Sequence, residues 1–175
     1  MRRSCFAALK AMTGSEKNAG SMEICRQLEN LDAFQKADTV FGYLPLPSEP
    51  DLSPLFSEKR VWGFAKVLED DSMEFRRMES LDHAVAGDFK ILEPDPRFCP
   101  VLSPDHVDIV IIPGVGFCPR TGNRLGRGKG HYDRYLRKLR ERKTPPLLVG
   151  VCFAAQLCEV ESEPHDISMD LVISA

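Results

Sequence analysis

The chain has 175 residues, is 43% hydrophobic and carries a formal net charge of −3 at pH 7. These values are ordinary for a soluble globular protein, and they argue against wholesale binding to nucleic acid or to membranes. The length suits one domain, so residues 1–175 are expected to form a single folded unit with its own hydrophobic core.

The N-terminal part of the chain is predicted to contain two helices followed by a strand. The first helix covers residues 2–12 and is interrupted at Gly14. The second covers residues 21–36, with Ser21 as its N-cap because a serine hydroxyl can accept a hydrogen bond from the first turn. Residues 39–44 then form a strand, since they are apolar and β-branched or aromatic for most of their length.

The middle of the chain is predicted to be less regular. The proline-rich segment 45–54 forms a loop after the carboxyl end of the first strand, because proline lacks a backbone donor. Residues 51–59 include a short helix. Residues 61–68 and 73–77 form two strands joined by an acidic turn, and residues 89–104 are irregular.

The C-terminal part is predicted to contain a strand–loop–helix–strand unit. Residues 107–112 are almost entirely apolar, which indicates a strand buried on both faces of a sheet. A glycine-rich loop follows, and residues 131–143 form an amphipathic helix. Further strands cover 147–153 and 171–173. The alternation of strands and helices predicts a three-layer α/β/α domain with a mainly parallel central sheet and a small hairpin.

The cysteines give no sign of a disulfide framework or a structural zinc site. None of the six forms a CxxC pair, and none is spaced with a histidine as zinc ligands are. The N-terminal residues are basic, but no apolar segment of a signal peptide follows them. A cytoplasmic location is therefore expected.

The stretch from Pro113 to Asp133, PGVGFCPRTGNRLGRGKGHYD, carries the strongest functional signal. It combines six glycines with four cationic residues, Arg120, Arg124, Arg127 and Lys129. Glycine lets backbone N–H groups approach an anion, and cations add charge-assisted hydrogen bonds to phosphate oxygens. The loop leads directly into a helix, whose N-terminus carries partial positive charge. The sequence therefore predicts a polyphosphate-binding loop.

The loop does not match the common nucleotide motifs. A Walker A loop requires Ser or Thr after its lysine, whereas Gly130 follows Lys129 in this chain. The spacing of Gly114 and Gly116 also lacks the third glycine of a dinucleotide fingerprint. The loop therefore belongs to another class of phosphate-binding loop.

The motif Gly-Asn-Arg-Leu-Gly-Arg-Gly-Lys-Gly-x-Tyr-Asp, preceded by Pro-Gly-x-Gly-Phe, resembles the hallmark of the 5-formyltetrahydrofolate cyclo-ligase family. Weaker resemblance extends over most of the chain and includes Glu49, Gln156 and the segment 165–170. It implies an ATP- and Mg²⁺-dependent ligase that converts 5-formyltetrahydrofolate to 5,10-methenyltetrahydrofolate, with release of ADP and phosphate. ATP would phosphorylate the formyl oxygen before the ring closes.

The resemblance also implies which residues bind each ligand. The residues expected to bind ATP are Arg2, Arg124, Leu125, Gly126, Arg127, Gly128, Lys129, Gly130 and Tyr132. Those expected to bind the folate are Leu44, Glu49, Phe89, Arg127, Gly128, Lys129, Gly130 and His131. The candidate catalytic residues among them are Arg127, Lys129 and Tyr132. For Leu44 and Phe89, packing in the core is an equally good interpretation.

Magnesium is expected to bind carboxylates beside the loop. The resemblance assigns Asp133 and Asp166 to this role, and the sequence leaves Asp170 open as an alternative to Asp166. Mg²⁺ characteristically binds one or two carboxylates together with phosphate oxygens and water.

Three positions depart from the family pattern. The family has a lysine four residues before the position of Arg2, which in this chain would fall before Met1. His131 replaces the first tyrosine of the usual Tyr-Tyr-Asp, and Cys118 replaces a frequent aspartate. A non-catalytic relative that binds nucleotide, folate or RNA phosphate, or a different ligase or kinase on the same fold, is therefore the alternative. We expect a monomer that binds neither membranes nor nucleic acid.

Overall fold

The computed structural model describes residues 2–57, 59–87, 91–161, 163 and 165–175. In these residues the helices are α1 (Arg2–Ala11), α2 (Gly14–Glu29), α3 (Asp32–Lys36) and α4 (His131–Arg140). The strands are β1 (Thr39–Gly42), β2 (Val61–Val67), β3 (Met73–Arg77), β4 (Ala84–Ala86), β5 (Leu92–Pro94), β6 (Ile109–Pro113), β7 (Gly116–Phe117), β8 (Arg124–Leu125), β9 (Leu147–Cys152) and β10 (Leu171–Ser174). None of the described helices is long and apolar enough to cross a membrane.

Over the described residues, the central sheet has six strands in the order β10-β9-β6-β1-β2-β3. All neighbouring strands are parallel except β2 and β3, which form an antiparallel hairpin. Strand β6 is buried throughout, as expected for a parallel strand that is covered on both faces. The predicted α/β class with a mainly parallel sheet is confirmed.

Helices cover both faces of the sheet. On one face, Ile24 and Leu28 of α2 pack in a core that includes alternate residues of the central strands. On the other face, Leu136 and Leu139 of α4 pack in a second core with Phe41 and Phe75. The apolar side chains of α4 recur three and four residues apart, so one stripe of this helix meets the sheet. The result is the predicted three-layer arrangement.

The sheet contains a topological switch point between β1 and β6. These strands lie side by side, with Val40 opposite Ile109, yet β1 is followed by β2 on one side and β6 by β9 on the other. The loops that leave their carboxyl ends therefore diverge and open a crevice between them. In open α/β sheets this crevice is where ligands bind. In this chain the two loops contain the proline-rich segment 45–54 and the glycine-rich segment 114–130.

The predicted boundary between the first two helices is wrong. Helix α2 begins at Gly14, and Ser21, the predicted N-cap, lies within it and is buried. The N-cap is Thr13, whose hydroxyl accepts a hydrogen bond from the Glu16 backbone while the Glu16 carboxylate accepts one from Thr13 N–H. This capping box satisfies two free donors of the first turn and fixes the start of the helix.

Four further local predictions are corrected. Among the described residues of the segment 51–59, the helical part is a 3-10 turn at Ser53–Leu55, where Pro54 fits a first turn but sustains no longer helix. The segment predicted to be irregular, 89–104, includes β5, which pairs with β4. Helix α4 ends at Arg140, three residues earlier than predicted. The predicted glycine-rich loop also contains a two-stranded ribbon of β7 and β8.

Candidate active site

A cleft with a volume of about 1770 Å³ opens at the switch point of the sheet. It brings together nearly all of the residues that the sequence identified. Those that line it are Arg2, Leu44, Glu49, Arg124, Leu125, Gly126, Arg127, Gly128, Lys129, Gly130, His131, Tyr132, Asp133 and Asp166. Phe89 lies outside the described residues.

The glycine-rich loop depends on backbone conformations that favour glycine. Gly128 has φ = 99° and Gly130 has φ = 67°, and Gly130 is the N-cap of α4. Residues with a Cβ rarely adopt such angles, so glycine at these positions lets the chain turn sharply into the helix. The loop therefore places the N-terminus of α4 against the cleft, and no side chain among the described residues caps its first turn.

Two contacts hold the loop in place. Gln156 is fully buried, and its side-chain amide donates to the backbone oxygens of Gly114 and Val115 at 2.8 and 3.2 Å. At the other end of the loop, Arg2 of α1 donates from Nε to the Gly126 oxygen at 3.1 Å. These bonds tie the loop to the 3-10 turn Ala154–Gln156, which follows β9, and to the first helix. No local pattern indicates the partners of Gln156, because Gly114 and Val115 lie 42 and 41 residues earlier in the chain.

Arg124 is buried against Asp133 rather than extended into the cleft. Its guanidinium donates from Nη2 to Asp133 Oδ2 at 2.8 Å, and the two side chains are 6% and 15% exposed. Arg124 Nε is buried without a hydrogen-bond partner among the described residues. A buried cation depends strongly on its counterion. Asp133 is therefore held in one position by a partner on the preceding strand, β8.

The carboxylates predicted to bind magnesium separate into two groups. Asp133 and Asp166 both line the cleft, and Asp133 Oδ1 lies 3.5 Å from the backbone nitrogen of Ile167, the residue after Asp166. Asp170 instead accepts from Leu148 N–H at the start of β9 and pairs with Arg140 at 2.7 Å. The start of β9 is the opposite end of that strand from the cleft.

The donor set at Asp133 and Asp166 fits magnesium chemically. Among the described residues, no group of three or more His, Cys, Asp or Glu side chains is arranged to hold a metal ion. Mg²⁺ does not need such a group, because it commonly uses one or two carboxylates and takes its other oxygens from phosphate and water. Two acidic side chains beside a phosphate-binding loop match that preference.

Tyr132 is a neutral hydrogen-bonding group at the centre of the cleft. Burial raises its pKa well above the usual value, and the nearby Glu49 carboxylate raises it further. The phenol therefore stays protonated at physiological pH and is suited to donate a hydrogen bond rather than to accept a proton. Its ring lies 5.5 Å from the Arg124 guanidinium, which packs over its face.

Glu49 and Arg127 connect the two loops of the cleft. Arg127 Nη2 lies 3.0 Å from Glu49 Oε1 and also donates to Ser48 Oγ at 3.2 Å. Glu49 Oε2 accepts a hydrogen bond from Leu46 N–H at 3.0 Å. The carboxylate is thus fixed from two sides, one of which is the phosphate-binding loop.

His131 faces a side extension of the cleft with a volume of about 530 Å³. Its Nε2 lies 3.4 Å from Asp71 Oδ1 and is buried without a hydrogen-bond partner among the described residues. Lys129, Arg134 and Lys138 also line this extension. His131, which replaces the family tyrosine, therefore lies between the main cleft and the side extension.

The far wall of the cleft was not predicted. It consists of the β2–β3 hairpin and the β4–β5 ribbon, which contribute Ala65–Asp71, Ala86, Gly87 and Ile91–Glu93. Lys66 and Glu93 form an ion pair of 2.6 Å across this wall. These residues form no recognisable sequence motif. The only sequence signal is that successive side chains of a strand point to opposite faces, so that one face of the hairpin can line the cleft.

Comparison with known proteins agrees with this architecture. The family model for the 5-formyltetrahydrofolate cyclo-ligase family matches residues 1–175. A mouse 5-formyltetrahydrofolate cyclo-ligase is 38% identical over 178 residues, covering 94% of this chain and 87% of the mouse protein. A yeast protein of the same name is 37% identical over 106 residues, but that match covers 57% of this chain and 49% of the yeast protein.

A solved structure shares the fold. The NMR structure of Aquifex aeolicus 5,10-methenyltetrahydrofolate synthetase superposes with a TM-score of 0.82 at 30% sequence identity, covering 99% of this chain and 87% of that one. The sequence-based prediction of the family and of an ATP-dependent ligase is confirmed, and the non-catalytic alternative is not favoured. The chain belongs to the 5-formyltetrahydrofolate cyclo-ligase family.

Proposed function

We propose that this chain converts 5-formyltetrahydrofolate to 5,10-methenyltetrahydrofolate at the switch-point cleft and consumes ATP in doing so. The γ-phosphoryl group passes to the formyl oxygen, N10 of the folate attacks the activated formyl carbon, and inorganic phosphate leaves. Phosphoryl transfer requires little covalent participation by the protein. The task of the cleft is therefore to align two substrates and to neutralise phosphate charge.

The phosphates are assigned to the glycine-rich loop. Lys129 and Arg127 supply positive charge beside the N-terminus of α4, and the loop backbone supplies N–H donors. Arg2 approaches the same loop from α1. Arg124 was expected to bind ATP directly. Its guanidinium is paired with Asp133, so we assign it first to orienting that carboxylate.

The folate is assigned to the side of the cleft formed by the loop after β1. The Glu49 carboxylate can accept hydrogen bonds from the amino and ring N–H groups of the pterin, and Leu44 offers it an apolar contact. The Tyr132 hydroxyl, kept protonated, can donate to oxygen in the transition state. His131 lies on the folate side of the cleft, where the cleft meets its side extension.

Magnesium is assigned to Asp133 and Asp166 on the basis of their shared position and donor chemistry. Bound there with the nucleotide, it would neutralise charge on the transferring phosphoryl group. Asp133 is pre-oriented by Arg124, and Asp166 accepts from Glu163 N–H at 2.8 Å. Both side chains are thus held before a ligand arrives.

The observation that carries the proposal is the convergence of the loop cations, Glu49 and two acidic residues in one cleft. The test is an assay with purified protein, MgATP and 5-formyltetrahydrofolate. Formation of the methenyl product is followed by its near-ultraviolet absorbance, and ADP is measured in parallel. We expect one ADP for each product. ATP consumption without product, or no reaction, would contradict the proposal.

Replacing Arg127 with alanine is expected to raise the KM for ATP by about 10- to 100-fold, because a hydrogen bond to a charged partner contributes roughly 1.5–3 kcal/mol. The measurement is initial-rate kinetics with each substrate varied in turn. Arg120→Ala is the matched control, since Arg120 belongs to the same loop but pairs with Glu159 on the exposed surface. Equal KM values for wild type and Arg127→Ala would remove this residue from the site.

Three broader expectations belong to the same proposal. We infer a single domain over residues 1–175, in line with the extent of the family match. The described cysteines are all free thiols, which favours a reducing compartment such as the cytoplasm. A monomer is expected, and the family's ligands account for the cleft without a macromolecular partner.

A further inference from the structure

Arg127 is the residue through which the phosphate-binding loop reaches the folate side of the cleft. It lies in the segment between β8 and α4, whereas Glu49 lies 78 residues earlier in the loop after β1. Their side chains meet at 3.0 Å, and Ser48 Oγ accepts from the same guanidinium nitrogen. The two loops that flank the switch point are therefore joined by one ion pair across the space that two substrates must share.

The two partners differ in how firmly they are held. The Glu49 side chain is 6% exposed, and its second oxygen accepts from Leu46 N–H. The Arg127 side chain is 44% exposed, and its guanidinium packs over the ring of Phe6 on α1 at 5.8 Å. A half-exposed guanidinium can leave at modest cost, whereas a buried carboxylate left alone is costly. Arg127 is thus the movable partner and Glu49 the fixed one.

The ion pair joins Arg127, from the phosphate side of the proposed site, to Glu49, from the folate side. This step rests on the proposed function, in which phosphate oxygens take Arg127 and the pterin N–H groups take Glu49. Neither substrate can engage its partner fully while the pair is closed. We propose that the Arg127–Glu49 pair is a latch that both substrates open, so that binding of either one favours binding of the other.

The coupling follows from linkage. The first substrate to bind must break the pair, and its observed affinity is lowered by that cost. The second substrate finds its partner already released, so it binds more tightly than it does to the free protein. Couplings of this kind are typically 5- to 150-fold and are equal in both directions. Arg127 is half-exposed, and Glu49 keeps its hydrogen bond from Leu46 N–H when the pair opens, so this coupling is expected at the lower end, at about fivefold.

The latch makes a prediction that a simple substrate-binding role for Glu49 does not. In Glu49→Gln the amide keeps the shape and can still accept from Leu46 N–H, but it no longer holds Arg127 by charge. Before any ligand arrives, Arg127 is then held only by hydrogen bonds to neutral oxygens such as Ser48 Oγ. A change on the folate side is therefore expected to tighten nucleotide binding by about fivefold, which is the full coupling.

The test is calorimetric titration of the protein with Mg²⁺ and a non-hydrolysable ATP analogue, with and without 5-formyltetrahydrofolate. For wild type, the folate should lower the Kd of the analogue by about fivefold. For Glu49→Gln, the Kd should already be that low without folate, and added folate should leave it unchanged. Equal nucleotide affinity in Glu49→Gln and wild type, or weaker binding in the variant, would overturn the latch.

Glu161→Gln separates the latch from a general effect of charge. Glu161 also lines the cleft, next to Val160, whose backbone oxygen accepts from Asn123 of the phosphate-binding loop at 2.9 Å. Its loss removes the same unit of charge without touching Arg127, so the Kd of the analogue should change by less than about twofold. A tightening equal to that of Glu49→Gln would contradict the latch.

The outcome is distinguishable from failure of the proposed function. Binding of the analogue is measured without catalysis, whereas the proposed function is tested by formation of the methenyl product in wild type. Product formation without the Glu49→Gln effect would disprove the latch alone. The Glu49→Gln effect without product would support the latch and disprove the reaction, and absence of nucleotide binding to wild type would disprove both.

Discussion

The Asp133→Asn variant is expected to need more Mg²⁺ for half-maximal product formation and to turn over about 100-fold more slowly than wild type. Asparagine presents a neutral oxygen where Mg²⁺ prefers a carboxylate. Even residues that only support a metal ligand change metal affinity or activity by about 10- to 100-fold when mutated, so loss of the ligand itself should reach the upper limit. The measurement is initial rate against free Mg²⁺ at saturating substrates.

The same substitution is expected to lower the free energy of unfolding by about 2 kcal/mol. Arg124 is 6% exposed and depends on Asp133 as its counterion, while its Nε already lacks a partner among the described residues. Removing one member of a buried pair leaves an uncompensated charge. The double variant Asp133→Asn/Arg124→Met should therefore be more stable to urea than Asp133→Asn alone. It should not recover the wild-type dependence of the rate on Mg²⁺.

Asp170→Asn provides the matched control for these effects. Asp170 also pairs with an arginine and also accepts a backbone hydrogen bond, but these contacts lie at the start of β9, away from the cleft. The variant is expected to be destabilised and to keep the wild-type magnesium titration. If Asp133→Asn and Asp170→Asn gave the same titration as wild type, the assignment of magnesium to Asp133 would be wrong.

The parts of this fold that sequence predicts well are those whose causes are local. The buried strand β6 is an unbroken apolar run, and the glycine-rich loop after it is recognisable from composition alone. Helix α4 follows from an apolar stripe and begins at the predicted residue, His131. Because strand, loop and helix are consecutive, their order also places the loop at the carboxyl end of the strand, where ligands bind.

The partners of the site residues could not be predicted, because they depend on pairings between distant segments. The position of β1 beside β6 brings Glu49 to Arg127 across 78 residues, and no local pattern encodes that pairing. Arg124 illustrates the same limit at shorter range. The spacing of Arg124 and Asp133 in the sequence does not predict their ion pair. The pair depends on the sharp turn at Gly128 and Gly130, which brings α4 back to β8.

The start of helix α2 is encoded locally in the sequence. Thr13 and Glu16 have the spacing of a capping box, which indicates a helix that begins at Gly14. Glycine costs only about 1 kcal/mol in a helix interior and less in the first turn, so a capping box outweighs it. The pair Thr13 and Glu16 therefore marks the start of α2, and Gly14 does not interrupt the helix.

Gly122→Ala is expected to lower the free energy of unfolding by about 3 kcal/mol. Gly122 has φ = 71°, a conformation that costs an alanine roughly 1 kcal/mol. A Cβ at this position would lie 2.1 Å from the backbone oxygen of Met169, so the clash cannot be relieved by moving a side chain. The backbone itself must shift, and backbone strain of this kind belongs to the most destabilising class of substitution.

The shift would reach the site because Gly122 joins the phosphate-binding loop to the segment that carries Asp166. Its oxygen accepts from Met169 N–H at 2.8 Å, and its own N–H donates to Cys118 oxygen at 2.9 Å. The variant should therefore also require more magnesium for half-maximal turnover, which a purely local strain would not cause.

Gly14→Ala is the control in urea unfolding, because a Cβ at Gly14 meets no atom within 4 Å and the residue opens a helix. Alanine there should be neutral or stabilising by up to about 1 kcal/mol. Coincident unfolding curves for Gly122→Ala and Gly14→Ala would contradict the backbone contact with Met169. A destabilised Gly122→Ala with an unchanged magnesium titration would show that the strain stays in the turn and that Asp166 is positioned independently of it.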